Sequence, residues 1–284
     1  MISEGRKDAL IKLLDDESPV VRQAVVAEIR NQEDDGVVFL REVARQRGSG
    51  IGRHARSLLV ELGFDDPHGD FRSFIRSFRY ELEVGCFLLE RTVHPDLEWS
   101  MVAGFIDEVA TRCRELIVPE SSVFEKCKQL NCVFYHEYGF SGDLEDFENP
   151  DNNFISSVIY RRKGIPISLS VLYLLVADRC SITLDPIGTP GRFLLANLED
   201  PNSFYLDPFD RGRFRSEEEV RQMLLTHHIE DGAEYLLPST TGEVLCRFCR
   251  NLAHQYTLKN EMGKARQFTG YIQEFEDVYE RESS

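Results

Sequence analysis

The stretch of sequence that decides the fold is RKGIPISLSVLY, residues 162–173. It leads into a predicted helix over residues 168–180, in which apolar side chains cover nearly the whole circumference. A helix that is apolar all round lies inside a domain rather than on its surface. We therefore predict a buried helix here, separated by residues 163–167 from a shorter helix over residues 154–162.

Three short apolar segments follow the predicted buried helix, and Gly, Pro and Asn residues typical of turns separate them. The segments are residues 183–188, 193–196 and 204–206. This pattern predicts an antiparallel meander of strands. Because helical patterns occupy the rest of the chain, we predict an α+β fold with a small antiparallel sheet between helical regions.

Packing of the buried helix on this meander would bring three positions together: Ser168 at the amino end of the helix, Arg192 at the start of a strand, and Asp207 at the end of another. Thiol-dependent acyl transfer uses a nucleophile at a helix start, because the helix dipole lowers the pKa of a thiol there. A base and an orienting carboxylate then come from neighbouring strands. The expected geometry is that of a catalytic triad, but the residue types at these positions are not those of a catalytic triad.

Five sequence blocks carry a family resemblance. They are FYHEYGFSG (134–142), NPDNN (149–153), RKGIPISLSVLY (162–173), PGRFLL (190–195) and DPFDRG (207–212). With these blocks in this order, the chain from about residue 83 to residue 256 resembles the SirB-type transglutaminase-like family. The resemblance implies a papain/transglutaminase-like core followed by a tetratricopeptide-like helical region.

The resemblance also implies which positions would hold the Cys, His and Asp of a catalytic triad. The Asp position is Asp207, the His position is Arg192, and the Cys position falls near Ser168, with Ser170 as the alternative. A serine hydroxyl stays protonated near neutral pH without a base, and a guanidinium cannot be that base because it carries donors only. We therefore predict a degenerate triad, in which Arg192 binds Asp207 through its fork of donors.

The preferred prediction is a transglutaminase-like protein that has lost its acyl-transfer machinery and acts as a protein- or peptide-binding or scaffolding module. The former substrate groove, walled by Tyr135, residues 139–142, Ser168 and Arg192, would hold a peptide or acidic ligand through Arg192. We expect Tyr135, Asn153 and Phe193 to be binding residues there.

Two other functions remain open. One is a hydrolase or acyl transferase in which Ser168 is the nucleophile and His136 or His94 supplies a base. A histidine nitrogen within about 3.2 Å of the Ser168 hydroxyl would favour that enzyme. The other is a purely structural helical adaptor, which predicts a filled groove and no pocket at Ser168.

The first 68 residues are predicted to form short helices, because apolar residues recur at three- and four-residue spacing. Residues 16–22 resemble the start of the second helix of a HEAT repeat, and a weaker echo begins at Ile51. The alternative is two amphipathic hairpins that cap the next domain. The predicted domains are 1–68 (HEAT-like), 69–215 (transglutaminase-like core with its leading helices) and 216–284 (tetratricopeptide-like).

Two local predictions concern the start of the core. The polar residues 65–70 predict a turn at the first domain boundary. Beyond it, residues 71–116 are predicted to form two helices, because Pro95 and Asp96 interrupt the helical pattern.

The composition limits the partners and the compartment. The chain has 33 basic and 49 acidic side chains, a formal charge of −16, so nucleic acid is excluded as a general partner. No run approaches the roughly 18 apolar residues that a membrane span needs. Residues 1–14 carry charged side chains rather than an apolar signal core, and we expect a cytoplasmic protein. The sequence does not predict the oligomeric state.

Seven cysteines form an odd set scattered through helical patterns, which predicts reduced thiols. Cys246 and Cys249 have the spacing of a zinc half-site, but a structural zinc needs four ligands. Since both also fall at helical core spacing, we predict core packing and no metal. The glycine-containing turn at residues 188–191 includes a proline, which removes a backbone donor. We therefore expect no nucleotide and no other cofactor.

Overall fold

The computed structural model describes residues 4–14, 18–44, 50–63, 65–198, 203–229 and 232–282. The chain divides into two compact units, Met1–Asp70 and Phe71–Ser284. The described residues are mostly helical with small sheets, which confirms the α+β prediction. None of the helices described is long and apolar enough to cross a membrane.

The first unit contains four helices. They are α1 (Glu4–Leu14), α2 (Pro19–Asn31), α3 (Glu33–Ala44) and α4 (Gly50–Glu61). Leu10, Ile29, Leu40 and Leu58 are among the buried residues of its core. Of the HEAT-like pattern, Asp16 and Glu17 lie outside the described residues.

The second unit begins with helices that differ in part from the prediction. They are α5 (Pro67–Ser77), which crosses the boundary between the units at Asp70, α6 (Leu82–Arg91), α7 (Trp99–Leu116) and α8 (Val123–Asn131). The turn predicted for residues 65–70 is wrong from Pro67 onward, because α5 starts there and proline is favoured in a first helical turn. The prediction of two helices over residues 71–116 is also wrong, because three helices lie in this range. The chain breaks near Pro95 as predicted and also at Phe78, whose left-handed φ of 52° separates α5 from α6.

The predicted buried helix is present but begins earlier than expected. After α9 (Ile155–Arg161), α10 runs over Pro166–Arg179, and eleven of its 14 residues are buried. Pro166 fixes the backbone for the first turn, so the helix starts two residues before Ser168. Ser168 therefore lies inside the first turn of α10 and not at its amino end.

The meander is confirmed and has a fourth strand. The sheet is antiparallel in the order β3 (Asp185–Ile187), β4 (Leu194–Asn197), β5 (Phe204–Asp207) and β6 (Arg213–Arg215). Strand β6 was not predicted, because Arg-Phe-Arg has only one apolar residue.

A two-residue parallel pair lies outside this sheet. Strand β1 (Ser141–Gly142) pairs with β2 (Lys163–Gly164), directly before α10. A π-helix, Cys132–Glu137, leads from α8 towards β1.

The chain ends in three helices, α11 (Glu217–Thr226), α12 (Thr241–Leu258) and α13 (Met262–Glu282). Helices α12 and α13 pack together, with the rings of Tyr256 and Phe268 stacked at 5.7 Å. Cys246 and Cys249 are buried in the core of the second unit, which confirms the prediction of core packing. All seven cysteines are free thiols.

Candidate functional site

The five sequence blocks meet around the first turn of α10. The pairing of β1 with β2 joins the first block to the third. The hydroxyl of Tyr135 donates to the carbonyl of Pro208 at 3.1 Å, and the hydroxyl of Ser170 donates to the carbonyl of Phe193 at 2.7 Å. The convergence expected from the packing of helix and meander is therefore present.

Asp207 is fully buried at the end of β5, where Arg215 neutralises it. Oδ2 of Asp207 accepts hydrogen bonds from Nε and Nη2 of Arg215, at 3.3 and 3.0 Å. Oδ1 accepts from the backbone N–H of Asp210 at 3.2 Å. Arg215 reaches this position because β6 pairs with β5. The buried carboxylate thus has a charged partner and a backbone donor.

Arg192 is a weaker partner of Asp207 than predicted. Its Nε lies 3.8 Å from Oδ2 of Asp207, within ion-pairing range but beyond a hydrogen bond. The guanidinium lies 4.9 Å from the ring centre of Phe209, and the side chain is 34% exposed. The predicted ion pair between Arg192 and Asp207 is therefore present. The predicted fork of hydrogen bonds is wrong, because Arg215 supplies the hydrogen bonds to Asp207 and Phe209 contacts the Arg192 guanidinium.

Ser168 is fully buried and its hydroxyl is engaged by the backbone. Its Oγ accepts from the N–H of Ile165 at 3.1 Å and lies 3.2 Å from the carbonyl of the same residue. A Cβ on Gly164 would lie 2.8 Å from this oxygen, so the chain before α10 is packed closely against it. Ser170, the alternative position, is also fully buried and donates to Phe193.

Neither candidate base contacts these serines. His136 is exposed on the π-helix. His94 follows α6 with its ring edge-on to Phe154 at 4.9 Å, and its Nε2 is buried without a hydrogen-bond partner. Burial lowers the pKa of His94. Among the described residues, no histidine nitrogen is a hydrogen-bond partner of Ser168 or Ser170.

The three predicted binding residues all lie below the surface. Burial, with the nearby charge of Asp207, raises the pKa of Tyr135. Asn153 donates to Oε1 of Gln255 at 2.6 Å, while its own Oδ1 is buried without a partner. Phe193 is buried and its ring contacts the guanidinium of Arg247, 5.3 Å from the ring centre. Asn153 and Phe193 thus contact Gln255 and Arg247 of helix α12, whereas Tyr135 contacts Pro208.

A cavity of about 210 Å³ opens beside the first turn of α10. Residues 165–167 form one wall, Gly191 and Arg192 form another, and Phe147 and Glu148 lie at a third side. Helix α12 contributes Arg247, Asn251, His254 and Gln255. Of the residues predicted to wall the groove, Arg192 lines this cavity, whereas Tyr135, residues 139–142 and the fully buried Ser168 do not. The cavity is open beside Arg192 and is bounded mainly by residues that were not predicted.

Sequence reasoning missed two arginines of this region. Nη2 of Arg247 donates to the carbonyls of Thr189 and Arg192, at 2.7 and 2.9 Å. Burial lowers the pKa of Arg247, because a cation loses hydration there. The spacing of Arg247, Asn251 and His254 along one helix face was the available pattern. For Arg215 no pattern was available, since β6 itself was not predicted.

A buried helix packed on a small antiparallel sheet, with a buried aspartate at a strand end beside the first helical turn, defines a protein of the transglutaminase-like class. The chain belongs to the transglutaminase-like superfamily, whose core domain matches residues 101–250.

Relatives are known from bacteria and animals. A UPF0162 protein of Xylella fastidiosa is 30% identical over 184 residues, which cover 63% of this chain and 66% of the relative. A UPF0162 protein of Vibrio cholerae is 33% identical over 153 residues, 52% of this chain and 54% of that protein. The chain thus spans just under two thirds of the first relative and about half of the second.

An animal relative matches over a shorter stretch. The human F-box only protein 21 is 33% identical over 106 residues, 34% of this chain and 17% of that protein. No solved structure is significantly similar to this chain.

Proposed function

We propose that this chain is a catalytically degenerate transglutaminase-like protein that binds a protein or peptide in the groove of the former active site. The observation that carries the proposal is the guanidinium of Arg192 at the position that the family resemblance assigns to the catalytic histidine. A guanidinium stays protonated and has no acceptor atom, so it cannot take a proton from a nucleophile.

The environment of Ser168 also supports a loss of catalysis. A nucleophile has to reach a substrate carbonyl and needs a base within hydrogen-bond distance. The hydroxyl of Ser168 is buried, and its hydrogen-bond partners are the backbone atoms of Ile165. The alternative, a hydrolase or acyl transferase that uses Ser168 with His136 or His94, would require both serine and base to move.

The open cavity supports retention of a ligand. It exposes the side chain of Arg192 next to the first turn of α10, where an acyl substrate would lie in an active relative. An arginine that is only weakly paired with Asp207 can bind an acidic or peptide ligand. This argues for a binding module and against a purely structural spacer.

The flanking regions belong to the same proposal. We place the chain in the SirB type of the superfamily, in the cytoplasm, with a HEAT-like region at residues 1–68, the core at 69–215 and a tetratricopeptide-like region at 216–284. The four helices of the first unit and the packed pair α12 and α13 support these assignments. Such helical repeats commonly offer binding surfaces to proteins.

Two assays test the loss of catalysis. The wild-type protein is incubated with a fluorescent amine and a glutamine-containing protein, and separately with a serine-reactive fluorophosphonate followed by mass spectrometry. We expect neither amine incorporation nor an adduct on Ser168. The Arg192→His variant should also be inactive, because Ser168 is still not a thiol. Amine transfer by the wild type that is lost in Arg192→Ala or Ser168→Ala would contradict the proposal.

A further inference from the structure

Two arginines approach the cavity beside α10 although the chain as a whole is strongly acidic, with a formal charge of −16. Arg192 comes from the segment before β4 and Arg247 from α12, 55 residues further along the chain. Like charges gathered in one small cavity repel each other unless an anion lies between them. The concentration of positive charge at this place therefore needs an explanation.

Arg247 is held in a single position by three contacts. Its Nη2 donates to two backbone carbonyls, of Thr189 and Arg192, and its guanidinium contacts the ring of Phe193. These hydrogen bonds engage one of the three guanidinium nitrogens and leave donors on the others. A guanidinium fixed in this way loses little side-chain freedom when it binds a ligand.

Neither arginine is fully neutralised by the protein. Across the described ranges, no carboxylate lies within 4.0 Å of the Arg247 guanidinium. Asp207, the acid nearest to Arg192, already accepts two hydrogen bonds from Arg215. Glu148 at the edge of the cavity is more than half exposed and lies 4.0 Å from His254. The cavity therefore carries an excess of positive charge.

The first turn of α10 adds to this charge. Pro166 has no N–H, and the N–H of Ile165 donates to Ser168. The positive end of the helix dipole and the N–H groups of Ile167 and Ser168, which lack intrahelical acceptors, favour an anion. Residues 165–167 line the cavity, and α10 is 14 residues long. A volume of about 210 Å³ admits the end of a peptide or one side chain rather than a large cofactor.

We propose that Arg192 and Arg247 together form a receptor for the carboxylate of a peptide, in the cavity between the first turn of α10 and α12. A planar carboxylate matches the donors of a guanidinium, and two guanidiniums from different segments can bind both of its oxygens. The carboxylate comes either from a chain terminus or from an internal Asp or Glu side chain. This inference rests on the proposed peptide-binding function and specifies its ligand.

The experiment uses the full chain and three sets of synthetic probes. The first set is a peptide array in which each sequence is present with a free carboxyl terminus and as the amide. The second contains amides with one internal Asp or Glu. The third consists of glutarate, inorganic phosphate and chloride at matched ionic strength. Calorimetry measures the binding of each of these anions.

The variants are Arg192→Met, Arg247→Met and Arg250→Met. Arg250 is the matched control, because it is the next arginine on α12 and pairs with Glu276 at 3.3 Å on the exposed side. Thermal unfolding of each variant establishes that it is folded. Because Arg192 is 34% exposed, its variant tests the receptor even where Arg247→Met disturbs the carbonyls of Thr189 and Arg192.

We expect free-carboxylate peptides to bind about tenfold or more tightly than their amides, as charge-assisted hydrogen bonds require. This preference should disappear in Arg192→Met and Arg247→Met and persist in Arg250→Met. If peptide amides with an internal Asp or Glu bind as tightly as the free-carboxylate peptides, the bound carboxylate comes from a side chain. That result would also support the receptor.

Three results separate failure of the inference from failure of the proposed function. Peptides that bind the wild type regardless of carboxylate would overturn the receptor and leave peptide binding intact. Binding of phosphate in place of every carboxylate would also overturn the receptor. Binding of glutarate with the same dependence on both arginines, but of no peptide, would support the carboxylate receptor and overturn the peptide-binding function.

Discussion

Arg215 donates two hydrogen bonds to Oδ2 of Asp207, at 3.3 and 3.0 Å, whereas Nε of Arg192 lies 3.8 Å from the same oxygen. The carboxylate at the position that the family resemblance assigns to the catalytic Asp is thus bound to an arginine of the next strand. In a catalytic triad the carboxylate accepts a hydrogen bond from the histidine and so orients it. Here Arg215 occupies Oδ2 of the carboxylate instead. Arg192 is correspondingly left with most of its hydrogen-bonding capacity.

Removal of Arg215 should destabilise the fold far more than removal of Arg192. Arg215→Met leaves the fully buried Asp207 without its main partner, and breaking a buried ion pair costs about 3–5 kcal/mol. Arg192→Met should cost less than about 1 kcal/mol, because that side chain is partly exposed and only distantly paired. Urea unfolding of both variants measures the difference. Equal losses would show that the two arginines share Asp207.

Glu90 should make stability fall as the pH rises. Burial raises the pKa of Glu90 to about 7, although the Ser156 hydroxyl and N–H favour the charged form. The ordinary value in the unfolded chain is 4.5, so the folded state binds the proton more tightly. The resulting stabilisation is complete below pH 4.5 and is lost as the pH rises through about 7.

The Glu90→Gln variant removes this titration. Between about pH 4.5 and 8 the wild type should lose roughly 3 kcal/mol more than the variant in its free energy of unfolding, the equivalent of the pKa difference. Denaturant unfolding at a series of pH values measures both curves. Parallel curves for the two proteins would contradict the prediction.

Gly212 should tolerate alanine less well than Gly139 does. Both have left-handed backbone, with φ of 69° and 73°, where an alanine costs about 1–2 kcal/mol. A Cβ at Gly212 would also lie 2.1 Å from Oδ1 of Asn131, whereas one at Gly139 meets nothing within 4 Å. We expect Gly212→Ala to lose a further 1–3 kcal/mol or so, as overpacking does. Thermal unfolding compares them, and a smaller loss for Gly212→Ala would be inconsistent with this packing.

Cys180 should react with alkylating agents more readily than a cysteine of similar exposure whose thiol has the ordinary pKa. The thiol of Cys180 donates to the carbonyl of Ala110 at 3.6 Å, and the neighbouring Cys113 thiol, with a further contribution from the charge of Arg114, lowers the pKa of Cys180. In the Cys113→Ala variant the alkylation of Cys180 should need a higher pH. Mass spectrometry after iodoacetamide treatment at several pH values reports each site. An unchanged profile for Cys180 would contradict this effect of Cys113 on the pKa of Cys180.

The buried helix and the meander were predictable because their patterns are local. Continuous apolar residues predict α10, and alternating apolar runs and turns predict three of the four strands. The start of α10 was misplaced because Pro166 was assigned to the preceding segment. Strand β6 was not predictable, since its three residues become a strand only by pairing with β5.

The sequence predicted which positions lie at the candidate site, but not which side chains bind each other there. The sequence located Ser168, Arg192 and Asp207, and the structure brings their segments together. The sequence did not show whether Arg192 or Arg215 is the hydrogen-bond partner of Asp207. That choice depends on strand register and on the ring of Phe209, neither of which a local pattern encodes.

The sequence by itself determined the α+β class, the central helix and the absence of a proton acceptor at position 192, because these follow from residue type and local periodicity. Only the tertiary structure decided which arginine binds Asp207 and that Arg247 lines the cavity. Hydrogen bonds and ion pairs act over a few ångströms in space. Their partners, 8 and 55 residues apart in the chain, meet only when strands and helices have packed.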